Sequence, residues 1–352
     1  MRSVRGATVS QAIPRRVLPN HDMLSTEVTE NGTGGWHITY EIDDARITRL
    51  DSREITMPDD GPAPDASPGV KRSLRNIYTY GGHPAKRNLT VADIQANKAA
   101  RVKMTQVSAQ TREEAEVLET LGIDLITIAD LDIDEIRAGA PNTFVTGSQT
   151  MVQYVTEDEA LAAAIRVAER GADAIYTPRG LKTVERLADE GLCVQGHLGL
   201  VPRLSTRVGG LRIIGKTAEE AMRLMEGFRR LEEAGAVAAE VECVATEALK
   251  EINTRTGLVT HSIGAGSGGD IIFSFMEDIC GDVEHPPRHA RAWGDMLSLR
   301  RAMAVERRRA LTGFRDSVLG GTFPDEAHCV PMAPGEHERL IEALDRWRPI
   351  HQ

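Results

Sequence analysis

Two carboxylates, one imidazole and one guanidinium lie where a series of short apolar segments ends: Asp130, Glu242, His197 and Arg179. Ser108, Ser148 and Tyr176 fall at equivalent places after other segments, and Gly264 to Gly266 after another. If these segments are the parallel strands of one closed barrel, their carboxyl ends open on a common mouth, where such folds place their chemistry. A set of this kind chelates a metal, removes a proton next to a carbonyl, or holds an anionic substrate. Glu242, His197 and Asp130 are therefore the candidates for catalytic or metal chemistry, with the assignment of roles among them left open by spacing alone. Ser108, Ser148, Tyr176, Arg179, Gly264 and Gly266 are the candidate substrate contacts.

Each residue also has a plainer role. Glu242 could be a strand-end carboxylate paired with an arginine. His197 could be a satisfied structural histidine, the commoner case for such a residue. Arg179 could be a surface ion-pair partner. Ser148 has no Gly-x-Ser-x-Gly elbow around it, so hydrogen bonding suits it better than nucleophilic attack. The stretch Gly264-Ala-Gly-Ser-Gly-Gly269 satisfies the dinucleotide pattern but follows the seventh strand, not the first. About twenty residues on comes Glu284-His-Pro-Pro instead of an acidic strand end, so close backbone approach explains these glycines better.

The elements that must position these groups can be followed along the chain. Strands are expected at Lys103–Ser108, Asp124–Ala129, Asn142–Gly147, Asp173–Thr177, Leu192–His197, Val237–Glu242, Leu258–Ile263 and Ile271–Met276. Helices are expected at Arg112–Leu121, Glu157–Arg170, Leu181–Glu190, Ala218–Ala234 and Thr246–Thr256, with apolar residues near 3.6 spacing such as Leu161, Ile165 and Ala168. Gly122, Gly171, Gly191 and Gly235 stand where helices should stop. Eight apolar strands with helical crossovers predict an α/β fold, a (β/α)8 TIM-type barrel.

The expected organisation is an irregular N-terminal extension over 1–89, the barrel over 90–285 and a helical region over 286–352. The extension carries a hairpin signal in Trp36–Ile42 followed by Ala45–Leu50, then a Pro- and Gly-rich linker from Met57 to Gly69. Trp293–Thr312 and Glu336–Trp347 are expected as C-terminal helices.

Bulk properties narrow the function. The chain has 352 residues, 41% hydrophobic and 27% charged, enough for one barrel and an extension. A net charge of −10 disfavours nucleic acid as the main partner. No apolar run approaches the ~18 residues that span a bilayer, so no membrane is expected. Cys193, Cys243, Cys280 and Cys329 are far apart and make no C-x-x-C clip, which suits a reducing compartment. Met1 to His21 holds four arginines and no acidic residue; a basic start to a cytoplasmic protein is favoured over a transit peptide.

Gly196-His-Leu-Gly-Leu200, Gly209-Gly-Leu-Arg-Ile-Ile-Gly215, Val241-Glu-Cys-Val244, Ile263-Gly-Ala-Gly266 and Phe323-Pro-Asp-Glu-Ala-His328 occur in this order. Together they closely resemble signatures of the ketopantoate hydroxymethyltransferase family, of the phosphoenolpyruvate/pyruvate barrel superfamily. The likeness runs from about Thr90 to His328. It implies a metal-assisted aldol addition on a small 2-oxo acid. Magnesium would grip the keto acid and a glutamate of the sixth strand would remove the C3 proton. The enolate would then attack the methylene of 5,10-methylenetetrahydrofolate. The family's glutamate falls on Glu242, one metal aspartate on Asp130 and its histidine on His197. A homo-oligomer is likewise implied.

Several positions depart from the family pattern. Its Gly-Asp-Ser motif reads Ala129-Asp130-Leu131, and the second metal aspartate is replaced within Gly147-Ser148-Gln149-Thr150-Met151. Its Lys-x-Glu is Tyr176-Thr177-Pro178. About twenty-five family residues between strands two and three give way to Leu131–Ala140. One carboxylate and a hydroxyl grip magnesium poorly, so either Arg179 carries the substrate charge or Asp132, Asp134 or Glu135 rebuilds a metal site beside Asp130. The expectation is a divergent hydroxymethyltransferase-like enzyme. A scaffold without catalysis, or a superfamily lyase or hydrolase of a 2-oxo acid, are the alternatives.

Overall fold

The computed structural model describes residues 22–30, 36–43, 73–129 and 133–347. The chain divides into two units, Met1–Gly69 and Val70–Gln352. In the first, β1 (Asp22–Glu30) pairs antiparallel with β2 (Trp36–Asp43). The segment Trp36–Ile42 thus pairs with the strand before it; Ala45–Leu50, the expected partner, lies outside the described residues.

The second unit opens with a small hairpin, β3 (Arg75–Tyr78) and β4 (Pro84–Arg87), and the helix α1 (Val91–Ala99). The barrel follows, with strand and helix alternating as far as β11. Its elements are β5 (Met104–Ser108), α2 (Arg112–Leu121), β6 (Leu125–Ala129), α3 (Ile133–Gly139), β7 (Phe144–Ser148) and α4 (Glu157–Glu169). Next come β8 (Ala174–Tyr176), α5 (Leu181–Asp189), β9 (Val194–Gly199), α6 (Ala218–Glu233), β10 (Ala238–Glu242) and α7 (Thr246–Asn253). β11 (Val259–Ile263), β12 (Ile271–Ser274) and the short α8 (Met276–Cys280) complete it. All eight strands β5 to β12 are parallel, and β12 pairs with β5 to close the ring. The expected (β/α)8 barrel is the fold. Beyond it lie α9 (Met296–Leu319) and α10 (Glu336–Arg346), neither with a buried residue.

Local chemistry explains the helix starts. Thr90, Thr111 and Thr156 each accept from the backbone N–H three residues on, while Asp93, Glu114 and Glu159 reach back to the cap. These capping boxes satisfy N–H groups that a first turn leaves without partners. Gly122 ends α2 in the left-handed conformation, φ 73°, where a side chain would be strained. The segment Leu131–Ala140, not among the helices expected from sequence, contains α3, in which Ile133 and Ile136 are fully buried. Burial of those isoleucines folds the stretch into helix.

Each strand divides its residues between two layers. In β10, Ala239 and Val241 pack outward with Leu231, Phe228, Leu249 and Val194. Ala238, Glu240 and Glu242 therefore face the barrel interior. Ala238 belongs to a plug of Met104, Leu125, Phe144, Ala174, Val259 and Ile271 that fills the amino-terminal end. One alternation higher, the interior becomes polar: Gln106, Thr127, Tyr176, Gln195, Glu240 and His261. Above it come Ser108, Ser148, His197 and Glu242. The apolar plug stabilises the barrel by roughly 1.5–3 kcal/mol per large side chain, whereas the polar layers contribute no such burial.

Candidate active site

The carboxyl ends of the strands enclose a cavity of about 580 Å³. Of the residues singled out by sequence, Ser108, Ser148, Tyr176, His197 and Glu242 line it, and Asp130 lies outside the described residues. Ser148 Oγ is 2.9 Å from Thr127 Oγ1, and Ser108 Oγ accepts from the Met276 N–H at 2.9 Å.

His197 is the centre of the arrangement. Its Nε2 is 2.8 Å from the Leu200 carbonyl oxygen, and its Nδ1 is 2.6 Å from the Tyr176 hydroxyl. A carbonyl only accepts, so Nε2 carries a proton and donates. Burial holds the imidazole's pKa down, to about 4, so the ring is neutral, its Nδ1 lone pair faces Tyr176, and the hydroxyl donates to it. The glycines of the Gly196–Leu200 motif permit this. A Cβ on Gly196 would come within 2.7 Å of Leu231 Cδ2 on α6. One on Gly199, at φ 88°, would strike the Glu242 carbonyl oxygen. Without it, Leu200 N–H donates to that same oxygen at 2.8 Å, tying His197's acceptor to β10.

Two carboxylates share this corner. His197 Nε2 is 3.5 Å from Glu242 Oε2, and Nδ1 is 3.5 Å from Glu240 Oε1. Burial raises the pKa of Glu242 to about 7. Burial first, and then the charge of Glu242, raise that of Glu240 to about 8; Tyr176 would lower it only by giving Glu240 its single proton, which His197 Nδ1 takes. The Tyr176 hydroxyl is pushed far above its ordinary range by burial and by both glutamates. β10 ends at once after Glu242, because Cys243 takes φ 51°, a left-handed conformation uncommon for a non-glycine residue. Glu240 escaped the sequence reading, although the period of two in Glu240-Val-Glu242 puts both carboxylates on one face of the strand.

The expectation that Arg179 meets a substrate carboxylate fails on its placement. Its guanidinium donates to the carbonyls of Met151 (3.3 Å), Tyr154 and Val155 (2.7 Å), and it does not line the cavity. Arg203, exposed in the turn after β9, is the cation among the described lining residues. Gly264 and Gly266 also lie elsewhere: their Cβ atoms would meet His289 Nδ1 at 2.8 Å and Thr246 Oγ1, so they serve packing between segments. Asp134 pairs with Arg170 at 2.6 Å on the outer surface, which removes it from any metal site beside Asp130. Sequence offered no signal for Arg203, whose position depends on the path of a turn.

Where the family pattern puts its second magnesium carboxylate, this chain has Ser148, whose hydroxyl is bonded to that of Thr127, while Asp130 lies outside the described residues. Neutral hydroxyls alone grip magnesium poorly. His197, Glu240 and Glu242 do offer ligand atoms within 4.8 Å of one another. A cation there would need an imidazole lone pair, and the one available is taken by Tyr176.

The sequence profile of the ketopantoate hydroxymethyltransferase family matches residues 131–326. The 3-methyl-2-oxobutanoate hydroxymethyltransferase of Kosmotoga olearia is 31% identical over 254 residues, 65% of this chain and 92% of that protein. Its counterpart from Gluconacetobacter diazotrophicus is 31% identical over 281 residues, 72% of this chain and 99% of the other. Among solved structures, a 2,3-dimethylmalate lyase of the PEP mutase/isocitrate lyase superfamily covers 73% of this chain and 100% of its own. Its TM-score is 0.42 at 13% identity. The chain belongs to the ketopantoate hydroxymethyltransferase family, a family of transferases.

Proposed function

We propose that the barrel mouth forms an enolate from a small 2-oxo acid, with Glu242 as the base, and joins it to a one-carbon unit. Glu242 takes the C3 proton and the C3–H electron pair becomes the enolate. The enolate carbon adds to a carbon at the formaldehyde oxidation level, which water frees from its carrier by cleaving the C–N bonds, so that water supplies the hydroxyl oxygen and the carrier amine leaves. Methylenetetrahydrofolate is the donor expected from the family. What carries this reading is the Glu242 carboxylate itself. It lines the cavity, no cation is paired with it among the described residues, and its pKa of about 7 suits proton abstraction near neutrality. Arg203 would receive the substrate carboxylate, and the Ser108 and Ser148 hydroxyls would face the developing oxyanion. No step is routed through magnesium. A homo-oligomer is also proposed, for which the exposed Met303, Leu311 and Phe314 of α9 offer apolar surface.

Exchange of the C3 hydrogen in heavy water, followed by proton NMR on 2-oxoisovalerate and its homologues, isolates enolate formation from transfer. Glu242→Gln should slow exchange by about 10²–10⁴-fold, the usual contribution of a positioned base. Exchange unaffected by this change would end the proposal, and no exchange with any 2-oxo acid would favour a binding scaffold. With the family's second metal aspartate and its Lys-x-Glu motif replaced, ketopantoate formation from 2-oxoisovalerate should be weak. Brisk magnesium-dependent turnover would refute that.

A further inference from the structure

Glu240 is a buried carboxyl that the proposed reaction does not use and that no family motif covers. Its neighbours come from every side. Glu242 follows two residues later on its own strand. His197 is its register partner on β9, and Tyr176 reaches it from β8. On β11 its register partner is His261, whose Nδ1 is 2.6 Å from Gln106 Oε1 and which burial keeps neutral, with a pKa of about 3. Arg203 and Glu277 are the other charged residues along the described cavity wall. No cation is paired with Glu240 among the described residues.

The direction of the hydrogen bonds restricts where protons can be. The Leu200 carbonyl forces the proton onto His197 Nε2. If the imidazole is neutral, Tyr176 must spend its single proton on Nδ1 at 2.6 Å. The hydroxyl oxygen then offers Glu240 only lone pairs, and an ionised carboxylate there would meet repulsion. A protonated Glu240 donates to it instead. The other self-consistent arrangement moves that proton onto His197, leaving a buried imidazolium and a buried carboxylate; separating charge in this wall costs several kcal/mol per ion. Two carboxylates whose oxygens lie within 4.8 Å cannot both be comfortably ionised in any case.

We propose that Glu240 is a positioning residue held as the neutral acid at the head of a one-way chain, Glu240 to Tyr176 to His197 to the Leu200 carbonyl, and that this chain leaves Glu242 as the ionised member of the pair. The inference deepens the proposed role of Glu242: it states why that carboxylate, and not its neighbour two residues away, is free to act as base. Tyr176 and Glu240 thus set the protonation of a group that neither replaces.

The test needs no turnover, so its failure is separable from failure of the enolate reading. Carboxyl-carbon NMR on glutamate-labelled protein, titrated from pH 5 to 10, should show two raised carboxyls. Glu240→Gln, whose amide N–H reproduces the donor, should remove the one that ionises last. It should leave the other in place, and nitrogen NMR should still report the Nε2–H tautomer of His197. Tyr176→Phe removes the link and should close most of the gap between the two ionisations. If the last-ionising carboxyl survives in Glu240→Gln, or Tyr176→Phe moves neither, the chain does not assign the proton. If the titrations behave as stated while Glu242→Gln leaves C3 exchange unchanged, the chain stands and the enolate reading falls.

Discussion

The two ends of the barrel treat buried charge in opposite ways. At the amino-terminal end, Asp173 takes Arg87 Nε at 2.7 Å and an Arg137 terminal nitrogen at 2.5 Å, and also accepts from the Val145 N–H. The remaining guanidinium donors go to the carbonyls of Lys86, Pro141, Ala140, Thr143 and Gly171. Lys98, Asn253 and Asp270 form a second closed network there. At the carboxyl-terminal end, Glu240 and Glu242 are buried with two neutral histidines and a tyrosine, and no arginine or lysine is paired with them among the described residues. One end has spent its charges on structure. The other keeps proton affinities displaced, a condition that costs stability and suits acid–base work.

The largest effect that would sharpen this contrast is at the closed end. Asp173→Ala leaves two buried guanidinium groups facing one another and should lower stability by about 3–5 kcal/mol in urea unfolding. A loss near that of a surface substitution would break the comparison.

Next comes the pH dependence of stability. The folded pKa values of Glu240 and Glu242, about 8 and 7, lie above the ~4.3 of an unfolded glutamate. The native state therefore binds more protons between those limits, and stability falls as pH rises through that window. His197 and His261 run the other way. Their pKa values are depressed to about 4 and 3, so their contribution is present above ~6.5 and is lost as pH falls towards 4. Glu240→Gln removes the larger descending share. Relative to the parent protein it should gain on the order of 3–4 kcal/mol between pH 5 and pH 8, and urea midpoints that shift equally at both pH values would contradict this.

The smallest expected effect separates the two arginines. Arg203→Ala should raise KM for a 2-oxo acid about tenfold with little change in kcat, as expected when a charge-assisted contact shared by ground and transition states is lost. Arg179→Ala should instead lower stability, because three carbonyls lose their donor. A KM effect confined to Arg179 would return the substrate carboxylate to the site first expected from sequence.

Much of the scaffold was legible because its signals are local. Gly122, Gly171, Gly191 and Gly235 announce helix ends whatever surrounds them. The run Val237–Glu242 announces a strand by composition. Ile133–Gly139 went unrecognised as helix because seven residues with two buried isoleucines leave too short a period to detect. Within the site, Glu242, His197, Tyr176, Ser108 and Ser148 were placed at the cavity by one rule, that strand ends share a mouth. Arg179 obeyed the same rule in sequence yet points into the Met151–Val155 loop, since a long side chain after a strand end answers to the nearest unpaired carbonyls.

The sequence alone determined the period of the barrel, the family and the position of Glu242, because each of these depends on neighbours within a few residues or on motifs in order. Only the tertiary structure decided that Glu240 faces His197 and Tyr176, and that Arg203 is the cation among the cavity's described lining residues. Those relations join β8, β9 and β10 across the barrel wall. They follow from strand register, from the close approach allowed at Gly199 and from which carbonyl His197 meets, none of which leaves a trace in residue spacing.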